Sequence, residues 1–107
     1  MTSLIPEGWP RVEIDSYIRQ QRESILRITS AHGAQRVRVF GSRARGQSRP
    51  DSDLDLLVTL EPGRSLLDLV AVKQDLEDHL NCNVDVVTEA ALSPYLREAV
   101  LHDAVTL

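Results

Sequence analysis

The chain is poor in several things at once. Among its 107 residues it has one cysteine, one methionine, one tryptophan, one phenylalanine and two tyrosines. A single cysteine, Cys82, excludes an intrachain disulfide and a cysteine-rich zinc site. With so few aromatics, leucine, valine and isoleucine must build the core. No apolar run approaches the roughly 20 residues that span a bilayer. The opening MTSLIPEGWP lacks the basic n-region and apolar h-region of a secretory signal, so a cytoplasmic protein without membrane attachment is expected. Basic residues are outnumbered, 12 against 16 acidic, for a formal charge of −4. Non-specific nucleic-acid binding depends on neutralising phosphates with Lys and Arg, so a general DNA- or RNA-coating role is not expected. The length fits one domain, residues 1–107, and leaves no room for a separate substrate domain.

Residues 1–10 read as an irregular segment punctuated by Pro6, Gly8 and Pro10, with Trp9 as a plug on the core edge. The spacing of Ile14, Ile18, Ile25 and Ile28 predicts a helix from about Val12 to His32, stopped by Gly33. Arg36 to Gly41 is rich in β-branched residues and reads as a strand. Ser42 to Gly46 reads as a helical turn and Gln47 to Ser52 as a polar loop. Asp53 to Leu60 is a second strand, turned by Glu61-Pro62-Gly63. Ser65 caps a helix reaching about Leu80, with Asp68 as the reciprocal partner of a capping box. Its apolar stripe is Leu66, Leu69, Val70, Leu76 and Leu80. After a turn at Asn81 to Asn83, Val84 to Thr88 is a third strand. Ser93-Pro94 opens a last helix with Leu96, Ala99 and Val100 facing inward. This order predicts a small α/β (α+β) domain: a three-stranded mixed sheet with helices packed mainly on one face. Strands two and three, joined by a long helix, form a parallel crossover pair.

The informative stretch is VRVFGSRARGQSRPDSDLDLLV, Val37 to Val58. Residues i and i+2 of a strand share a face, roughly 6.6 Å apart. Asp53 and Asp55 therefore project together while Leu54 and Leu56 point the other way. Aspartate is depleted in strands and like charges repel, so this pair is suited to holding a divalent cation. Metal-assisted transfer clamps cations between oxygen ligands. A third carboxylate on a neighbouring strand would complete such a clamp, and Asp85, inside VDVV, is the candidate; a charge within an apolar strand is costly unless paired or bound to metal. Gly41-Ser42 falls where a strand meets a turn. Glycine there lets a backbone approach phosphate closely, and Ser42 adds a hydroxyl donor. Arg43 and Arg45 supply counter-charge, arginine being suited to forked phosphate contacts. Taken singly these pieces are an ordinary turn, a solvated basic loop and a polar strand entrance. Their order and spacing together point to phosphoryl or nucleotidyl transfer. His32, His79 and His102 are dispersed and form no site.

Gly41-Ser42, then ten residues, then Asp53-x-Asp55, resembles the polymerase-β-like nucleotidyltransferase superfamily. FGSRARG (Phe40 to Gly46), SDLDLLV (Ser52 to Val58) and VDVVT (Val84 to Thr88) resemble its minimal nucleotidyltransferase family, over roughly residues 12–103. The resemblance implies that Gly41 and Ser42 bind a triphosphate, that Asp53 and Asp55 ligate two Mg²⁺ ions (or Mn²⁺), and that Asp85 completes the metal site and helps activate the attacking hydroxyl. Arg45 carries more weight than Arg43, whose position varies in the family. It further implies an antitoxin that transfers AMP from ATP to a tyrosine of a HEPN-domain ribonuclease toxin. A binding module that neutralises its partner by occlusion, or a transferase acting on an RNA end or a small molecule, is the competing reading.

Overall fold

A computed structural model describes residues 16–45 and 52–107. The irregular reading of 1–10 with Trp9, the helical start at Val12 and the polar loop from Gln47 lie outside the described residues. The element order is α1 (Ser16–Gln20), α2 (Arg22–Ala31), β1 (Ala34–Phe40), β2 (Leu54–Leu60), α3 (Leu66–Leu80), β3 (Val84–Thr88), a 3-10 turn (Glu89–Ala91), α4 (Pro94–Asp103) and β4 (Val105–Thr106). The single first helix expected from the isoleucine spacing is two helices that break at Gln21, where no glycine or proline marks the break.

The sheet has four strands, not three, in the order β3-β2-β1-β4. β2 and β3 run parallel, as the crossover helix requires, and β1 is antiparallel to both β2 and β4. The extra strand is only two residues long and pairs Val105 with Val39 and Thr106 with Arg38. A run that short carries no alternation to read. Class and crossover are otherwise as expected, those of a small α+β domain.

β2 explains the layering. Leu54, Leu56 and Val58 turn to one face and join Val39, Ile18, Ile25, Val72, Leu76 and Val84 in one buried cluster. α1, α2 and α3 therefore cover that face. Asp55 and Thr59 turn to the other. α3 starts on the expected capping box: Ser65 Oγ accepts from the Leu67 N–H, and the Ser65 N–H donates to Asp68 Oδ2 at 2.9 Å. Its stripe is corrected, however. Val72, Leu76 and Leu80 are the buried line, whereas Leu66 and Val70 stand exposed. Val70 lies well off the Val72–Leu76–Leu80 line. α4 is also capped as expected, Ser93 Oγ accepting from the Leu96 N–H. It buries none of its residues: Leu96 and Ala99 are exposed and Val100 is half-buried, contrary to the inward face expected for it. Among the described residues no helix is long and apolar enough to cross a membrane.

Candidate active site

The site forms where β1, β2 and β3 come side by side. Asp55 of β2 is in register with Asp85 of the parallel neighbour β3 and with Phe40 of β1. Paired residues in a sheet point to the same face, so the two carboxylates stand together on the side away from α1, α2 and α3. Asp53, two residues before Asp55, joins them. Burial pushes the Asp55 carboxyl up from its ordinary range, the charges of Asp85 and Asp53 push it further, and only Arg45 pulls it back. One half-buried carboxylate is thus flanked by two like charges. Exposed Asp53 and Asp85 reach solvent more freely.

β1 ends at Gly41, which turns the chain with φ +76°. A Cβ at this position would run into the Asp55 carboxylate. The glycine thus serves two needs, a left-handed backbone and close approach to the acidic pair. One helical turn follows, in which Gly41 O accepts from the Ala44 N–H at 3.1 Å and Ser42 O from the Arg45 N–H at 3.2 Å. Gly41→Ala is expected to cost about 1–2 kcal/mol from the left-handed backbone alone. It should also displace Asp55, so that thermal melts and divalent-ion titrations both register the change. A variant that melts and binds cation like the parent contradicts this role.

The two arginines part ways. Arg45 is exposed, acts on Asp55 and is held by Asp103 of α4, Nη1 to Oδ2 at 2.8 Å. Arg43, expected beside it, is 1% exposed. Its Nε and Nη2 both donate to Ser52 O, at 3.0 and 2.8 Å, and it also bonds the Cys82 thiol. Arg43 is thus buried and engaged by the chain's own backbone at the residue just before Asp53. A second support missed in the sequence is the Lys73–Glu77 pair of α3, which grips the backbone of Val84 beside Asp85. The histidines stay apart: His32 pairs with Asp75 and His79 with Gln21.

The donor set is three carboxylates, hard oxygen ligands of the kind Mg²⁺ and Mn²⁺ take. Among the described residues no three His, Cys, Asp or Glu side chains already converge to hold an ion. Like charges hold one another off, and a divalent cation between them turns that repulsion into attraction. The residues fit such an ion by chemistry and by neighbourhood.

Comparison with known proteins agrees with this geometry. The nucleotidyltransferase domain family matches residues 18–107. A Methanocaldococcus jannaschii protein whose name describes it as a candidate protein adenylyltransferase is 41% identical over 88 residues, 82% of this chain and 95% of its own length. The protein adenylyltransferase MntA of Thermococcus cleftensis is 35% identical over 91 residues, 78% of this chain and 92% of its own. A solved structure described as a candidate minimal nucleotidyltransferase superposes with a TM-score of 0.76 at 51% identity, covering 91% of this chain and all of that one. The MNT antitoxin fold also recurs in a complex with a tri-AMPylated Shewanella oneidensis HEPN toxin, TM-score 0.64 at 20% identity over 82% of this chain and 69% of that one. At that identity the likeness speaks to fold. The family match across residues 18–107, and the identity to full-length relatives, establish that this chain belongs to the nucleotidyltransferase domain family as a minimal nucleotidyltransferase, an enzyme of that class.

Proposed function

We propose that the chain transfers AMP from ATP to a tyrosine hydroxyl of a cognate HEPN-type ribonuclease toxin and acts in the cytoplasm as its antitoxin. The observation that carries this reading is the register of Asp55 with Asp85, with Asp53 beside them and Gly41 packed against Asp55. Asp53 and Asp55 would hold the cations, and Asp85 would complete their site. Bound there, Mg²⁺ would polarise the α-phosphate and neutralise charge on the leaving pyrophosphate. Gly41 and Ser42 cradle the triphosphate, and Arg45 offsets its charge. Asp85 takes the proton of the attacking hydroxyl, whose oxygen bonds to the α-phosphorus as the α–β bridging bond breaks. The products are an AMP-bearing acceptor and pyrophosphate.

A protein acceptor is supported by the names of the relatives, protein adenylyltransferases, and by α4. That helix runs to Asp103, the residue that holds Arg45, and exposes Tyr95, Leu96 and Leu101, with Tyr95 94% accessible. Exposed apolar side chains of this kind suit contact with a protein. Intact-protein mass spectrometry of the co-encoded partner, with and without ATP and Mg²⁺, tests the reading. The partner should gain mass in steps of one AMP, mapped to tyrosine. A partner that is neutralised at unchanged mass supports occlusion instead. AMP found on RNA or a small molecule keeps the chemistry and rejects the acceptor.

A further inference from the structure

Asp85 lies on an edge strand, β3 being last in the sheet order. One side of such a strand has backbone groups with no neighbouring strand to meet them. In the parallel pairing, Asn83 O accepts from the Leu54 N–H at 2.9 Å, so Asn83 and Asp85 turn their backbone toward β2 and Val84 turns away. The outward groups of Val84 are met by α3. Glu77 Oε2 accepts from the Val84 N–H at 3.1 Å, and Lys73 Nζ donates to Val84 O at 2.7 Å. The two side chains close on each other at 2.9 Å. Together they occupy the place of one residue of a missing strand, at the position just before Asp85.

The polarity of the pair shows what it is for. In an isolated helix the better order is Glu four residues before Lys, and a carboxylate near the helix C-terminus opposes the dipole. Here Lys73 precedes Glu77, and α3 ends three residues later at Leu80. Helix stability alone would favour the reverse. The order observed is the one that offers a donor to Val84 O and an acceptor to its N–H. We propose that Lys73 and Glu77 are positioning residues for Asp85, locking the edge of β3 so that this carboxylate stays aimed at Asp53 and Asp55. The proposal rests on the reading of Asp85 as a cation ligand.

The charge-swapped variant K73E/E77K tests it on the full chain. It keeps the net charge and gives α3 the helix-preferred order, but it presents the wrong groups to Val84. Calorimetry with Mn²⁺ and a non-hydrolysable ATP analogue should show cation affinity reduced by about tenfold, the scale of lost support behind a metal ligand. The melting temperature should fall by several degrees, because both backbone groups of buried Val84 lose their partners, while the variant stays folded at the assay temperature. Amide exchange at Val84 should accelerate, and Lys73→Arg should retain near-parent affinity. If the swap does not fold, Lys73→Met at the same half-exposed position carries the test. Asp85→Asn separates the two readings. Should Asp85→Asn lose cation affinity while the swap binds like the parent, the positioning role is wrong and the ligand stands. Should Asp85→Asn itself bind like the parent, both fall. Affinity lost only in proportion to a collapsed melting temperature overturns the positioning role as well.

Discussion

Asp55→Asn is expected to melt higher than the parent at neutral pH while losing nucleotidyl transfer by at least about a hundredfold, since metal-assisted charge stabilisation supplies several kcal/mol. Both effects have one cause. Half-burial, then Asp85, then Asp53 raise the Asp55 carboxyl above its ordinary range, and Arg45 only partly offsets them. A carboxyl raised on folding binds its proton more tightly in the native state than in the unfolded chain. Its contribution is fully favourable below the unfolded value of about 3.9 and is lost as pH rises through the higher folded value. At neutral pH the ionised group is therefore a net cost to the fold, and the neutral amide removes it. The gain in melting temperature should vanish near pH 3, where the parent carboxyl is protonated too. Saturating Mg²⁺ and nucleotide should reverse the order at neutral pH, because only the parent binds them and gains from binding. Melts at both pH values, with and without Mg²⁺ and nucleotide, provide the check. A variant that melts at or below the parent at pH 7 would mean that Asp55 is held by favourable contacts instead.

How much of this was legible beforehand depended on whether the controlling contact was local. The capping box of Ser65 and Asp68 involves side chains three apart, and Ser93-Pro94 opens α4 by its own geometry, so both could be read directly. The parallel pairing of β2 and β3 follows from the length of α3 between them, and that pairing puts Asp85 beside Asp55. Burial was harder. Periodicity orients a helix but does not show where its neighbour ends, so Leu66 and Leu96 were assigned inward and are exposed. β4 escaped notice because two residues carry no period, and its partners, Arg38 and Val39, lie far back in the chain. Lys73 and Glu77 are spaced four apart like any exposed helical pair; their bonds to Val84 follow only from the placing of β3.

Arg43→Met is expected to be the most damaging single change away from the carboxylates. A charged side chain is usually read as surface, but this one is 1% exposed and donates to a backbone carbonyl nine residues on. Two guanidinium N–H groups converge on Ser52 O, and the same side chain bonds the Cys82 thiol, which burial keeps protonated. Methionine fills comparable volume but leaves that carbonyl without its donors. Losing a charge-assisted bond and stranding a buried acceptor together cost about 2–4 kcal/mol. For a chain of this size that is a fall of roughly 8–32 °C in melting temperature, at about 4–8 °C per kcal/mol. Arg43→Lys should recover only part of the loss, because one ammonium does not reproduce a planar fork. Thermal melts beside a nucleotide titration decide between scaffold and ligand. An Arg43→Met protein with the parent's melting temperature and weakened ATP affinity would return Arg43 to the triphosphate; one that melts early and, in the cold, binds ATP with near-parent affinity fixes it as the anchor behind Asp53.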